Sequence, residues 1–140
     1  MSMELLGRQL YLTYRASRDR LDEALGTAGA SVPEWVVLKA AGDEPELSQR
    51  ELAGRVLVTG STLTHHLDRL EADGLIVRTR DARDRRVVRI RLTADGKHRR
   101  AALDAIVVEH DRRLKALLPS EDVTTLRRLL AHLERALGEG

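Results

Sequence analysis

Between Arg78 and Arg91 the chain carries seven arginines, at positions 78, 80, 83, 85, 86, 89 and 91, against two aspartates. Cationic side chains at that density form an electrostatic footprint for a polyanion, although a solvated charged surface reads the same way. Just upstream, Ser61, Thr62, Thr64, His65, His66 and Arg69 gather hydroxyl, imidazole and guanidinium donors on one short stretch. Other chemistries lack their parts. Five histidines (65, 66, 98, 110 and 132) include no H-x-x-x-H pair, and no cysteine assists them, so neither a metal nor another cofactor is expected. There is no glycine-rich phosphate loop, nucleophile elbow or metal triad, and the chain is not expected to be an enzyme.

The basic charge is local. Residues 50–100 hold 13 Lys and Arg against 7 Asp and Glu, a balance of +6, whereas the other 89 residues hold 11 against 15, or −4. The whole-chain value of +2 hides this contrast. A length of 140 residues with 33% charged and 42% apolar side chains fits one soluble domain of ordinary size. Absence of cysteine excludes disulfides, thiolate metal sites and thiol-based sensing, leaving only Met1 and Met3 for sulfur oxidation. No apolar run approaches the ~20 residues of a bilayer crossing, and Glu4, Arg8, Arg15 and Arg18 interrupt the first segment, unlike a secretory signal. A cytoplasmic location is expected.

Helix signals place the donors on elements. Ser31 to Glu34 and Ser48 to Glu51 have the S-x-x-E form, in which serine and glutamate satisfy each other's free backbone donors at a helix start. The spacing predicts helices from Pro33 to about Ala41 and from Gln49 to about Arg55, with Leu52, Ala53, Val56 and Leu57 as apolar contacts. Thr59 is a good cap for a third helix running to Asp73; Leu63, Leu67 and Leu70 form its buried stripe and Gly74 its left-handed end. From Leu75 the period switches to alternation. Leu75 to Arg80 and Val88 to Leu92 read as antiparallel strands, joined by Asp81 to Arg86, a loop whose one apolar side chain is Ala82. Thr93 can cap a long helix from Ala94 to Leu118, striped by Leu103, Ile106, Val107, His110, Leu114, Leu117 and Leu118, and ended by Pro119. His110 on that stripe reads as a core or interface residue. Val123, Leu126, Leu130, Leu133 and Leu137 follow 3,4 spacing in a last helix, and residues 4–25 form another. Such seams at both chain ends want a second copy; a compact monomeric bundle is the alternative.

A short capped helix, a turn, a second helix and a hairpin with a cationic tip make a winged helix-turn-helix. The second helix of such a pair fits the DNA major groove, so Ser61, Thr62, Thr64 and His65 are the expected readers of base edges, with Arg69 on a phosphate. Arg83, Arg85 and Arg86 at the hairpin tip are placed to enter a narrow minor groove. The fold class is thus mainly α with a small β-hairpin wing, dimerising through the N- and C-terminal helices. Expected segments are 1–30 for dimerisation, 31–92 for DNA binding and 93–140 for dimerisation, within one intertwined domain.

Residues 47–96 closely resemble the MarR family of bacterial transcription regulators. The resemblance is carried by D-R-L-E-x-x-G-L-I-x-R (Asp68 to Arg78), by the wing D-R-R (Asp84, Arg85, Arg86) and by L-T-x-x-G (Leu92 to Gly96), in family order and spacing. It implies an obligate homodimer on a pseudopalindromic DNA operator, usually a repressor. It also implies that Arg86 is the wing arginine entering the minor groove and Asp84 its orienting carboxylate, with Arg83 and Arg85 as auxiliary phosphate contacts. Many relatives have arginine where this chain has His65, which implies a different base preference and an affinity sensitive to pH near neutrality. Small anionic aromatic effectors often bind family members between the dimer helices and the DNA-binding lobe. Tyr11, Tyr14, Arg15, Arg18, Trp35 and His66 could line such a pocket, though the aromatics also read as core and the two arginines as solvated helix residues. With no phenylalanine the chain has few stacking surfaces. The alternative to operator recognition is a winged-helix protein interaction module.

Overall fold

A computed structural model of the chain describes residues 3–56 and 60–139, with backbone alone at 60 and 61. The elements are α1 (Leu6–Gly26), α2 (Val32–Asp43), α3 (Gln49–Ala53), α4 (Gly60–Ala72), β1 (Ile76–Arg80), β2 (Val88–Leu92), α5 (Ala94–Lys115) and α6 (Ser120–Gly138). The chain divides into two compact units, Met1–Val107 and Val108–Gly140. Among the described residues no helix is long and apolar enough to cross a membrane.

The first unit contains the core. Leu25 of α1, Val37 and Leu38 of α2, Leu52 of α3, Ile76 and Ile90 of the hairpin and Leu103 of α5 are all buried against one another. Leu63, Leu67 and Leu70 of α4 join them, as their spacing requires, so the donors on the opposite side of α4 stay at the surface. Burial of each leucine contributes about 1.5–3 kcal/mol, enough for the stripe to decide which way the helix faces.

Both serine caps form, although not reciprocally. Ser31 Oγ accepts the Glu34 N–H at 3.3 Å, while the Glu34 carboxylate turns to Arg99. Ser48 Oγ accepts the Glu51 N–H at 3.1 Å and donates to Glu51 Oε1 at 3.0 Å. α3 stops at Ala53, two residues before the predicted Arg55, because Gly54 and Arg55 tighten into a turn on the Glu51 and Leu52 carbonyls. The expected contact of Leu57 and the Thr59 cap lie outside the described residues.

Gly74, at φ 74°, ends α4 as expected, with its N–H on the Glu71 carbonyl and the Leu75 N–H on the Leu70 carbonyl. β1 begins at Ile76, one residue later than alternation predicts, since the Leu75 carbonyl is taken by the Thr93 N–H at 3.0 Å. The strands pair antiparallel, with Ile76 opposite Leu92 and Arg80 opposite Val88. The link before α3 also joins the sheet: Ser48 bridges Arg89, and the Ile90 N–H donates to the Leu47 carbonyl at 2.9 Å.

The L-T-x-x-G motif forms the joint between hairpin and α5. Thr93 Oγ1 donates to the Gly74 carbonyl at 2.6 Å and accepts the Gly96 N–H at 3.0 Å. A β-carbon on Gly96 would lie 2.0 Å from the Leu75 carbonyl oxygen, so only glycine fits.

In the second unit α5 ends at Lys115 rather than Leu118; residues 116–118 form a turn onto the Arg112, Leu114 and Lys115 carbonyls ahead of Pro119. Glu121 and Asp122 occupy the electropositive first turn of α6. Nothing in α6 is buried: Leu126, Leu129, Leu130 and Leu137 are exposed. In the first unit, Leu6, Leu10, Tyr11 and Tyr14 of α1 are exposed too.

Gly96→Ala must push hairpin and helix apart at backbone level, where no rotamer change can relieve the overlap. It is expected to lower stability by ~1–3 kcal/mol, the scale of core overpacking, read as a drop in melting temperature.

Candidate nucleic-acid interface

Two carboxylates shape the tip of the hairpin. Asp81 Oδ1 accepts the N–H groups of Arg83 at 2.8 Å and Asp84 at 3.1 Å, the self-bonding turn that aspartate favours. Its Oδ2 takes the Arg89 guanidinium at 3.0 and 3.2 Å, and Arg89 in turn donates to the Glu46 carbonyl at 2.8 Å. Asp84 Oδ1 accepts both the backbone N–H and the Nε–H of Arg86 at 3.1 Å, with Oδ2 3.3 Å from Nη2. The Arg86 side chain is still 92% exposed. It is aimed outward.

These bonds set the acidities. Asp81 titrates below the usual aspartate range, first because of the Arg83 and Asp84 N–H groups and then because of Arg89. Asp84 is lowered mainly by the Arg86 side chain and then by its backbone N–H, against opposition from desolvation and the Asp81 charge.

The seven arginines do not act alike. Arg80 Nη1 donates to the Arg85 carbonyl at 2.8 Å, Arg89 serves Asp81, and Arg91 pairs with Glu46. Arg78, whose side chain is only 20% exposed, binds the rear of α4. Its Nη2 lies 2.6 Å from Asp68 Oδ1 and 3.0 Å from Glu71 Oε1, and its N–H donates to Glu71 Oε2 at 3.0 Å. The pairing lowers Glu71 and raises Arg78. Four of the seven guanidinium groups thus bind other parts of the chain, Arg80 and Arg91 while still exposed; Arg83, Arg85 and Arg86 are exposed at the tip, where Arg86 meets only the neighbouring Asp84 among the described residues. Sequence reading missed the Arg78 brace, although its three members stand in the D-R-L-E-x-x-G-L-I-x-R motif.

On α4, Thr62, Thr64, His65 and Arg69 are exposed and His66 is half-buried; the Ser61 side chain lies outside the described residues. The His65 and His66 rings are 6.3 Å apart at 58°. The expected effector residues are not brought together within the first unit. Tyr11, Tyr14, Arg15 and Arg18 lie exposed along α1, while half-buried Trp35 donates its Nε1–H to Asp104 Oδ1 at 2.8 Å. Only His66 of the six lines the cavity of about 220 Å³ found beside α4, where Arg69, Asp73, Glu34 and Arg99 also open.

Lowered carboxylates hold the tip together above their ordinary pKa of 3.8 and release it as pH falls through the lowered values. Amide signals of Arg83, Asp84 and Arg86 are therefore expected to stay constant at neutral pH and shift together in acid. Asp81→Ala should give the acid-like pattern at pH 7, read by NMR or hydrogen exchange.

Residues 30–88 match the MarR family. The HTH-type transcriptional repressor Rv2887 of Mycobacterium tuberculosis is 30% identical over 128 residues, which cover 91% of this chain and 92% of that protein. Its structure in complex with p-aminosalicylic acid is similar, with a TM-score of 0.79, 29% identity and coverage of 94% of this chain and 99% of the other. Wild-type apo MarR from E. coli has a TM-score of 0.84 and 25% identity, over 95% of this chain and 98% of its own.

Proposed function

The chain belongs to the MarR family of winged-helix, DNA-binding transcription regulators, and from that premise we propose that it is a cytoplasmic repressor whose homodimer leaves its operator when a small effector binds. The observation that carries this reading is the wing tip: a turn pinned by Asp81 and a guanidinium aimed into solvent by Asp84. An exposed arginine whose direction is fixed in advance loses little freedom on entering a groove. Beside it, Thr62, Thr64 and His65 form the front of α4 and read base edges, with Arg69 on the phosphates.

The exposed apolar residues of α1 and α6 support a dimer built from both chain ends on a pseudopalindromic site, one winged lobe per half. The Rv2887 complexes with p-aminosalicylic and salicylic acids favour a small aromatic carboxylate as effector, with Tyr11, Tyr14, Arg15, Arg18 and Trp35 meeting it once two copies assemble. No catalytic step belongs to this reading.

Binding fragments of the source genome, followed by salt titration of the selected duplex, tests it. Affinity should fall steeply with salt through counterion release. Arg86→Ala should weaken the complex by ~1–3 kcal/mol, the scale of a good groove contact. An unchanged affinity would remove Arg86 from the groove, and indifference to DNA at low salt would defeat the reading altogether. Leu130→Asp is expected to halve the sedimentation mass or unfold the protein; an intact, equally stable dimer would move the interface off α6.

A further inference from the structure

The polar lining of the cavity beside α4 consists of two guanidinium groups and two carboxylates, only half of which are paired, together with His66 and Ser31. Arg99 and Glu34 already meet, with Nε 3.4 Å from Oε1. Arg69 and Asp73, four residues apart at the end of α4, have no ion-pair partner among the described residues. Leu70 and Leu75 supply an apolar wall.

A simple anion fits this lining badly. A carboxylate set against Arg69 also faces Asp73 and Glu34, and a simple amine set against Asp73 faces Arg69 and Arg99. A molecule that bears both charges satisfies the open pair: its carboxylate takes the Arg69 guanidinium and its ammonium takes Asp73. The volume of about 220 Å³ lies below the ~300–1,000 Å³ of drug-sized sites and suits something as small as a free amino acid. The leucine wall favours an aliphatic side chain.

We propose that this cavity binds a free aliphatic amino acid and that the occupant competes with DNA for Arg69. The inference rests on the ligand-responsive DNA-binding reading above, and adds to it a ligand class and a site separate from the aromatic residues of α1. Arg69 offers its donors to the ligand carboxylate or to a phosphate, so occupancy and operator binding weaken each other by the same factor.

Calorimetry on the full-length protein with L-leucine, 4-methylpentanoate and 3-methylbutylamine tests the charge requirement, because the latter two each lack one of leucine's charged groups. Leucine is expected to bind at least ~10-fold more tightly than either, and to weaken operator binding within the ~5–150-fold range of such couplings. Asp73→Asn should melt like the wild type, lose leucine affinity and gain affinity for 4-methylpentanoate. Equal binding of leucine and 4-methylpentanoate, or no leucine binding at millimolar concentration, would overturn the proposal from the wild-type protein alone. If salicylate releases the operator and leucine does not, this site falls while the repressor reading stands. If the protein ignores the operator, both fall.

Discussion

One carboxylate organises the exposed loop at the tip of the hairpin. The loop from Asp81 to Arg86 has almost no apolar side chain with which to anchor itself, and ordering it costs about 1–2 kcal/mol of backbone entropy per residue. Asp81 meets this cost with its two oxygens, Oδ1 for the turn's own N–H groups and Oδ2 for Arg89, which reaches back to the Glu46 carbonyl. The turn, β2 and the segment before α3 are thereby tied through a single side chain. Asp84 extends the order outward, its own N–H fixed by Asp81 and its oxygens steering Arg86. The direction of the outermost guanidinium is inherited, bond by bond, from the base of the hairpin.

α4 is held by a different logic on each side. Its leucine stripe sits in the core, while Asp68 and Glu71 are bound by Arg78 at the start of the hairpin. Apolar burial sets which way the helix faces, but it is non-directional and tolerates sliding; the forked ion pair resists sliding. Together they keep the exposed hydroxyls and imidazole at a constant offset from the wing. On the reading proposed above, in which α4 and the wing enter two grooves of one duplex, that constancy has a purpose.

Much of this was legible in the order of residues. The serine caps, the left-handed glycine after α4, the leucine stripes and the switch to alternation are local or periodic signals, and the structure follows them within one to three residues at most ends. The availability of the arginines was not legible. A count of seven cannot tell a groove contact from a brace, since Arg78, Arg89 and Arg91 find partners 7 to 45 residues away. The cavity was hidden for the same reason: Glu34, Arg69 and Arg99 become neighbours only when α2, α4 and α5 pack. Aromatic residues drew attention along α1, whereas the cleft beside α4 is lined by charge.

The joint at Gly96 carries a mechanical corollary. With helix backbone in van der Waals contact with the Leu75 carbonyl, and Thr93 bonded on both sides of the gap, the first turn of α5 has no room to pivot against the hairpin. Within the first unit the hairpin, the end of α4 and the root of α5 are thereby locked into a single unyielding wedge.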